Sequence, residues 1–187
     1  MQTEFHGLTF VTEPGRVFSP RATTEKLVDA ALERLGDAPA HVADVGTGSG
    51  VVAVTLALRA PQIEVWASDT CENALQLAFA NAERLGAQMH IVRGDLLDGL
   101  PRDLDLIVAN LPYLAPGTPG YDDEPEAAVF STGDGLDHYR RLLSGAGDHL
   151  AEGGGVILQF DGQVLEAERS ELPWLRMRLE SLVAAAA

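Results

Sequence analysis

Residues 41–51, His41-Val42-Ala43-Asp44-Val45-Gly46-Thr47-Gly48-Ser49-Gly50-Val51, decide the fold. Positions 41–45 have the apolar, β-branched character of a strand with little solvent-facing surface, and from Val51 apolar residues recur at helical spacing. Between them lie Gly46, Gly48 and Gly50. Closely spaced glycines let the backbone turn sharply and let a ligand lie against main-chain N–H groups at the positive end of the following helix. Taken alone, the same residues also suit a tight strand-to-helix turn that holds nothing.

Working outward, apolar runs alternate with stretches of helical period, the signature of a parallel sheet with crossover helices. The spacing predicts strands over 41–45, 63–68, 89–93, 104–109 and 156–160. It predicts helices over 51–58, 72–85 and 136–150, with Pro61 or Gly86 as stops, and one ahead of the sheet through Leu27, Val28, Ala31, Leu32 and Leu35 that ends at Gly36. The fold class is α/β, a doubly wound, mostly parallel sheet. Residues 1–22 are expected to form a hairpin and lead-in around Pro14-Gly15, and 23–187 one domain. Near the C-terminus, Leu175, Met177 and Leu179 alternate as in a strand, whereas Leu175, Leu179 and Leu182 fit a helix, and both remain open. The 184–187 tail has no packing content.

Composition narrows the class. A chain of 187 residues with 46% hydrophobic content can bury a sizeable core. The single cysteine, Cys71, excludes an internal disulfide, and the five histidines show no paired Cys/His spacing, so no metal is expected. No apolar run reaches the roughly 18 residues of a membrane span, and residues 1–10 lack signal-peptide order, so a cytoplasmic protein is expected. Thirteen basic residues against 28 acidic ones give a net charge of −15, which disfavours a nucleic-acid partner. Arg16, Arg21, Arg140 and Arg141 are the basic residues near the segments singled out for function.

Asp69 ends the second sheet strand, 23 positions after Gly46. An acidic side chain there can accept both hydroxyls of a ribose. That arrangement suits NAD as well as S-adenosylmethionine (SAM), and Gly48-x-Gly50-x-x-Ala53 even satisfies a loose dinucleotide fingerprint. Asp95, in Arg93-Gly94-Asp95-Leu96 after the third strand, could accept a hydrogen bond from an adenine amino group. With Asp44, Asp69 and Asp95 in register, residues 41–113 resemble class I SAM-dependent methyltransferases. The resemblance implies SAM as cofactor, held by Asp44, Gly46, Thr47, Gly48, Gly50, Asp69, Asp95, Leu96 and Asn110.

The fourth sheet strand ends in Asn110-Leu111-Pro112-Tyr113, at the edge where open α/β sheets place ligands. An amide or exocyclic amine is a weak nucleophile because its lone pair is delocalised. The Asn110 side-chain oxygen and a main-chain carbonyl can each accept one N–H of an NH₂ group, and Tyr113 can stack on the planar acceptor. No strong base is evident, so positioning and polarisation must carry the rate. The quartet resembles the (Asn/Asp/Ser)-Pro-Pro-(Tyr/Phe) motif of methyltransferases acting on planar nitrogens, which makes Asn110, Leu111, Pro112 and Tyr113 the expected catalytic loop. Leu111 departs from that motif, and proline is expected to be tolerated there. An Asn-Leu-Pro-Tyr version is also similar to the loop of rRNA adenine dimethyltransferases.

Two further stretches resemble one family. Residues 5–25, FHGLTFVTEPGRVFSPRATTE, are similar to the hairpin and Pro-Arg-Pro-Glu-Thr-Glu entry of HemK-type glutamine methyltransferases, with Ala22 and Thr23 replacing Pro and Glu. Glu124-Pro125, Gly133-Asp134-Gly135-Leu136, Tyr139-Arg140 and Gln163 also agree with that family. The resemblance implies N5-methylation of a protein glutamine, in the Gly-Gly-Gln motif of peptide-chain release factors. It also sets two expectations of absence: the helical domain that precedes the hairpin in bacterial members, and a complete antiparallel strand pair at the end of the sheet. A substrate other than a release factor, such as a small planar molecule or a nucleobase amine, and a non-catalytic SAM-binding subunit remain the alternatives.

Overall fold

A computed structural model describes residues 1–121 and 123–186. Six strands form one sheet, β3 (His41–Val45), β4 (Glu64–Asp69), β5 (His90–Arg93), β6 (Leu104–Ala109), β7 (Leu150–Phe160) and β8 (Gln163–Glu168), in the order β5-β4-β3-β6-β7-β8. All neighbours are parallel except β7 and β8, which are antiparallel. The helices are α1 (Glu25–Leu35), α2 (Val51–Arg59), α3 (Glu72–Leu85), the short α4 (Glu126–Val129), α5 (Asp137–His149) and α6 (Leu172–Ala186). Ala187, the last residue of the expected unpacked tail, lies outside the described residues.

Two faces of the sheet carry separate apolar clusters, which is why the central strands read as nearly continuous apolar runs. Val42, Val65, Leu106, Val108 and Ile157 join α1 and α2 on one face. Ala43, Val45, Ile107, Val156 and Leu158 join α5 and α6 on the other. Alternate residues of a strand point to opposite faces, so Asp44 shares the face of Val42 and is drawn into the interior beneath α2.

Two expectations need correction. The N-terminal hairpin, β1 (Gln2–Phe5) with β2 (Leu8–Val11), turns at His6-Gly7 and not at Pro14-Gly15. Both turn residues have positive φ, 50° and 74°, the backbone that matches strand twist in a two-residue hairpin. Pro14-Gly15 instead forms a separate turn, in which Arg16 and Val17 both donate N–H to the Glu13 carbonyl. At the other end, Trp174 to Glu180 is helical within α6, where Leu172, Leu175 and Leu179 repeat at three and four positions and are buried. The antiparallel strand among the described residues is β8 (Gln163–Glu168), paired with β7 at the edge of the sheet.

Gly50 caps the N-terminus of α2 with φ 80°, and a Cβ there would stand 2.9 Å from the Cβ of Ala78 and 3.0 Å from its Cα on α3. This close approach seats the cofactor-loop helix on its neighbour. Gly50→Ala is expected to lose roughly 2–4 kcal/mol of stability, combining the left-handed backbone with overpacking. Urea unfolding of the two proteins measures this, and equal midpoints would refute it.

Candidate cofactor and acceptor site

The strand order reverses direction between β3 and β6, and their parallel register pairs Val45 with Ala109. Neighbouring strands lie about 4.8 Å apart, so the loop after Val45 and the loop after Ala109 must open side by side at the carboxyl edge. A cleft of about 200 Å³ lies there. Among the residues expected from sequence, Asp44, Gly46, Thr47, Gly48, Asp69, Asp95, Leu96, Asn110, Leu111 and Pro112 line it. Gly50 does not; its role is the contact with Ala78. Tyr113 lies beyond the cleft, in a second cavity, with its ring centroid 5.0 Å from that of Phe160.

Asp44 organises the glycine loop from beneath. It is 2% exposed, and its Oδ2 accepts from Thr47 Oγ1 at 2.7 Å and from the Ala53 N–H at 3.1 Å. Burial raises its carboxyl to about pH 6, aided by the charge of Asp69 and opposed by the hydrogen bonds from Thr47 and Ala53. Asp69 is fixed by main chain: Gly48 N–H donates to Oδ2 at 3.0 Å and Cys71 N–H to Oδ1 at 2.9 Å. Each Asp69 oxygen keeps a further lone pair for a ligand hydroxyl. Asp95 is different, being exposed and paired with Arg141 Nη2 through Oδ2, so its Oδ1 is the oxygen left for a ligand.

The acceptor loop is held from several sides. Asn110 Nδ2 donates to the buried Thr24 Oγ1 at 3.3 Å, which leaves Asn110 Oδ1 as the acceptor. Leu111 N–H donates to the Tyr139 hydroxyl at 3.2 Å, and that hydroxyl donates in turn to the Gln159 carbonyl. Tyr139 is fully buried, and burial pushes its phenol far above the usual tyrosine range. The Leu111 side chain presses on the loop after β3, where a Cβ on Gly46 would meet its Cδ2 at 2.7 Å. Gly135 lies so close beneath the loop that a Cβ there would come within 2.3 Å of the Tyr113 carbonyl.

Sequence reading missed Thr24 and Tyr139 as positioning residues, although both stand in segments quoted for the family resemblance. It also missed Asn81, a fully buried amide on the apolar face of α3. Asn81 Nδ2 donates to the carbonyls of Val11 and Ser49, and its Oδ1 accepts from Val11 N–H, tying the hairpin to the glycine loop. A lone polar residue among Leu77, Ala78 and Ala82 was the available signal. His138 lines the cleft as well, with Nδ1 2.8 Å from Ser131 Oγ, and desolvation lowers its pKa.

The chain is similar to known proteins over most of its length. A family model described as "Methyltransferase small domain" matches residues 7–122. The release factor glutamine methyltransferase of Neisseria gonorrhoeae is 43% identical over 164 residues, covering 83% of this chain and 59% of that protein. Its namesake from Streptococcus pneumoniae is 35% identical over 187 residues, covering 95% and 67%. The chain spans 59% and 65% of the length of the Neisseria and Bordetella pertussis relatives. Among solved structures, the Thermus thermophilus 16S rRNA N2 G1207 methyltransferase superposes with a TM-score of 0.63 at 20% identity, over 84% of this chain and 40% of that one. The sheet order, the loop after β3 and the match over 7–122 together establish that the chain belongs to the methyltransferase small domain family, with release factor glutamine methyltransferases among its relatives.

Proposed function

We propose that the chain binds SAM in the cleft and transfers its methyl group to a planar amide nitrogen, that of a glutamine in a peptide-chain release factor. The observation that carries this reading is the pairing of Val45 with Ala109, which puts the glycine loop and the free Asn110 Oδ1 on one cleft. The names of the relatives supply the acceptor.

The residues present fit SAM. Asp69 offers two spare lone pairs for the ribose hydroxyls, and Asp95 Oδ1 suits the adenine amino group. Buried Asp44 beside the cleft places negative potential where a cationic ligand gains from it. When bound, SAM supplies an electrophilic methyl carbon on a sulfonium. The chain's own part is to hold the acceptor NH₂ through Asn110 Oδ1 and to keep the loop still through Thr24 and Tyr139. Two carbonyl-type acceptors on the N–H hydrogens raise electron density on nitrogen and favour the charge that develops there. Labelled SAM offered with release factor, with a glutamine peptide and with RNA tests the assignment. Transfer to RNA alone would overturn it.

Asn110→Ala is expected to leave SAM affinity nearly unchanged while lowering the methylation rate by roughly 100-fold or more, the scale for removal of one positioned polar partner. Calorimetry and initial rates separate the two effects. Leu111→Pro, which sequence alone marks as tolerable, is now expected to cost about 1–3 kcal/mol of stability. Proline has no N–H for the buried Tyr139 hydroxyl. Thermal denaturation checks this, and an undiminished midpoint would refute it.

Asp44 also sets a pH dependence. Its folded pKa lies above its unfolded value, so its contribution to stability is complete below 3.8 and is lost as pH rises through about 6. A cationic ligand favours the carboxylate, so SAM affinity rises with pH up to about 6, by at most about tenfold per unit, and binding below that pH releases a proton. Isothermal titration of the wild type and Asp44→Asn across pH 5–7.5 reads this out. A pH-independent wild type would contradict it.

A further inference from the structure

A second cavity, of about 270 Å³, adjoins the cofactor cleft and shares Asn110, Leu111 and Pro112 with it. Two segments outside the sheet wall both. Phe18, in the stretch 16–21, lines the cleft and the second cavity, and so does Ala128 in α4. Pro20 faces the cleft and Arg21 the second cavity, so the middle of that stretch touches both spaces.

Each segment is secured on its own. The chain over 16–24 is pinned at its two ends. At one, Val17 packs on Ala74 and Leu77, and Arg16 Nη2 donates to Asn73 Oδ1 at 3.1 Å. At the other, Thr23 Oγ1 accepts from Gln159 Nε2 at 2.9 Å and Thr24 Oγ1 from Asn110 Nδ2 at 3.3 Å. The α4 segment is carried by the chain after the acceptor loop, where Leu114 N–H donates to the Val129 carbonyl. Among the described residues no main-chain hydrogen bond joins one segment to the other. Glu124 supplies the polar link. Its side chain is 11% exposed, its Oε2 accepts from Ser19 N–H at 3.1 Å, and its Oε1 lies 3.9 Å from Arg21 Nη2. Arg21 in turn lies over the rings of Phe18 and Tyr121, 5.3 and 5.0 Å from their centroids.

We propose that Glu124 is a positioning residue that couples the two cavities: it joins residues 16–21 to α4 as one wall, so that a ligand in either cavity orders the wall for the other. The inference rests on the proposed function, with the acceptor side chain reaching Asn110 from the second cavity. Ordering a segment costs conformational entropy, and a cost borne on binding the first ligand is not borne again by the second. Cofactor and acceptor therefore bind with positive cooperativity, by the same factor in whichever order they are added. The same coupling lets the demethylated cofactor leave more readily once the methylated acceptor has gone.

Calorimetry of S-adenosylhomocysteine binding, with and without a saturating glutamine-bearing peptide, measures the coupling factor for the wild type, Glu124→Ala and Glu124→Gln. The wild type is expected to bind S-adenosylhomocysteine about tenfold more tightly with peptide present, and Glu124→Ala to show no such gain. Glu124→Gln keeps an oxygen for Ser19 N–H but no charge for Arg21, and should show an intermediate gain. A merely structural role would weaken both ligands and leave the factor unaltered. An unaltered factor in Glu124→Ala, or a wild type whose affinity is the same with and without peptide, overturns the inference. Coupling that is lost in Glu124→Ala, in a wild type that transfers no methyl group, would sink the proposed activity and leave this assignment standing.

Discussion

The parallel pairing of β3 with β6 is the constraint on which the site depends. A shift of this register by two residues would keep each side chain on its face but would separate the ends at Val45 and Ala109. The glycine loop and the acceptor loop would then no longer share a cleft. The register is enforced from both faces: Val42 and Leu106 sit in one apolar cluster, Ala43 and Ile107 in the other. Core packing thereby fixes the distance between the place where a cofactor can lie and the place where an acceptor can be held.

Leu111 shows how a departure from a motif is absorbed. A second proline would stiffen the loop by fixing φ. Leucine gives up that stiffness, and the structure replaces it with a hydrogen bond that proline cannot make, from Leu111 N–H to a fully buried phenol whose own proton goes to the Gln159 carbonyl. Tyr139 thus joins the ends of β6 and β7 through one oxygen. The Leu111 side chain fills the space above Gly46, so the same residue also couples the two loops by contact.

How much of this was legible in the sequence follows from how local each cause is. Strands 41–45 and 104–109 and helix 72–85 were readable to the residue, because apolar periodicity and glycine stops act within a few positions. The hairpin turn was misplaced because Pro14-Gly15 looks more like a turn than His6-Gly7, and only the pairing of Phe5 with Leu8 decides between them. The end of the chain was ambiguous because a six-residue window around Leu175 satisfies both periods, and Leu172 and Leu182 settle it only when α6 meets the sheet. Within the site, the residues whose chemistry is intrinsic, three aspartates and an asparagine, were visible. Thr24, Tyr139, Asn81 and Gln159 matter only through partners between 28 and 136 positions away, and a linear reading has no access to those.

The three aspartates also differ in a way set by position in the sheet. Asp44 is the penultimate residue of the central β3 and is buried, Asp69 ends β4 and is half-buried, and Asp95 follows the edge strand β5 and is exposed. Effective dielectric rises in the same order, so an equal charge exerts its strongest field at Asp44 and its weakest at Asp95. Burial raises the Asp44 carboxyl to about 6 against the Thr47 and Ala53 hydrogen bonds, which favour the charged form, so it is ionised at neutral pH. The cleft therefore presents a gradient of negative potential that deepens toward the centre of the sheet. On the proposed function, a ligand with one positive centre and a polar, uncharged far end would be oriented by that gradient before any specific hydrogen bond forms, its cation toward Asp44 and its neutral end toward Asp95, where Arg141 already offsets the charge.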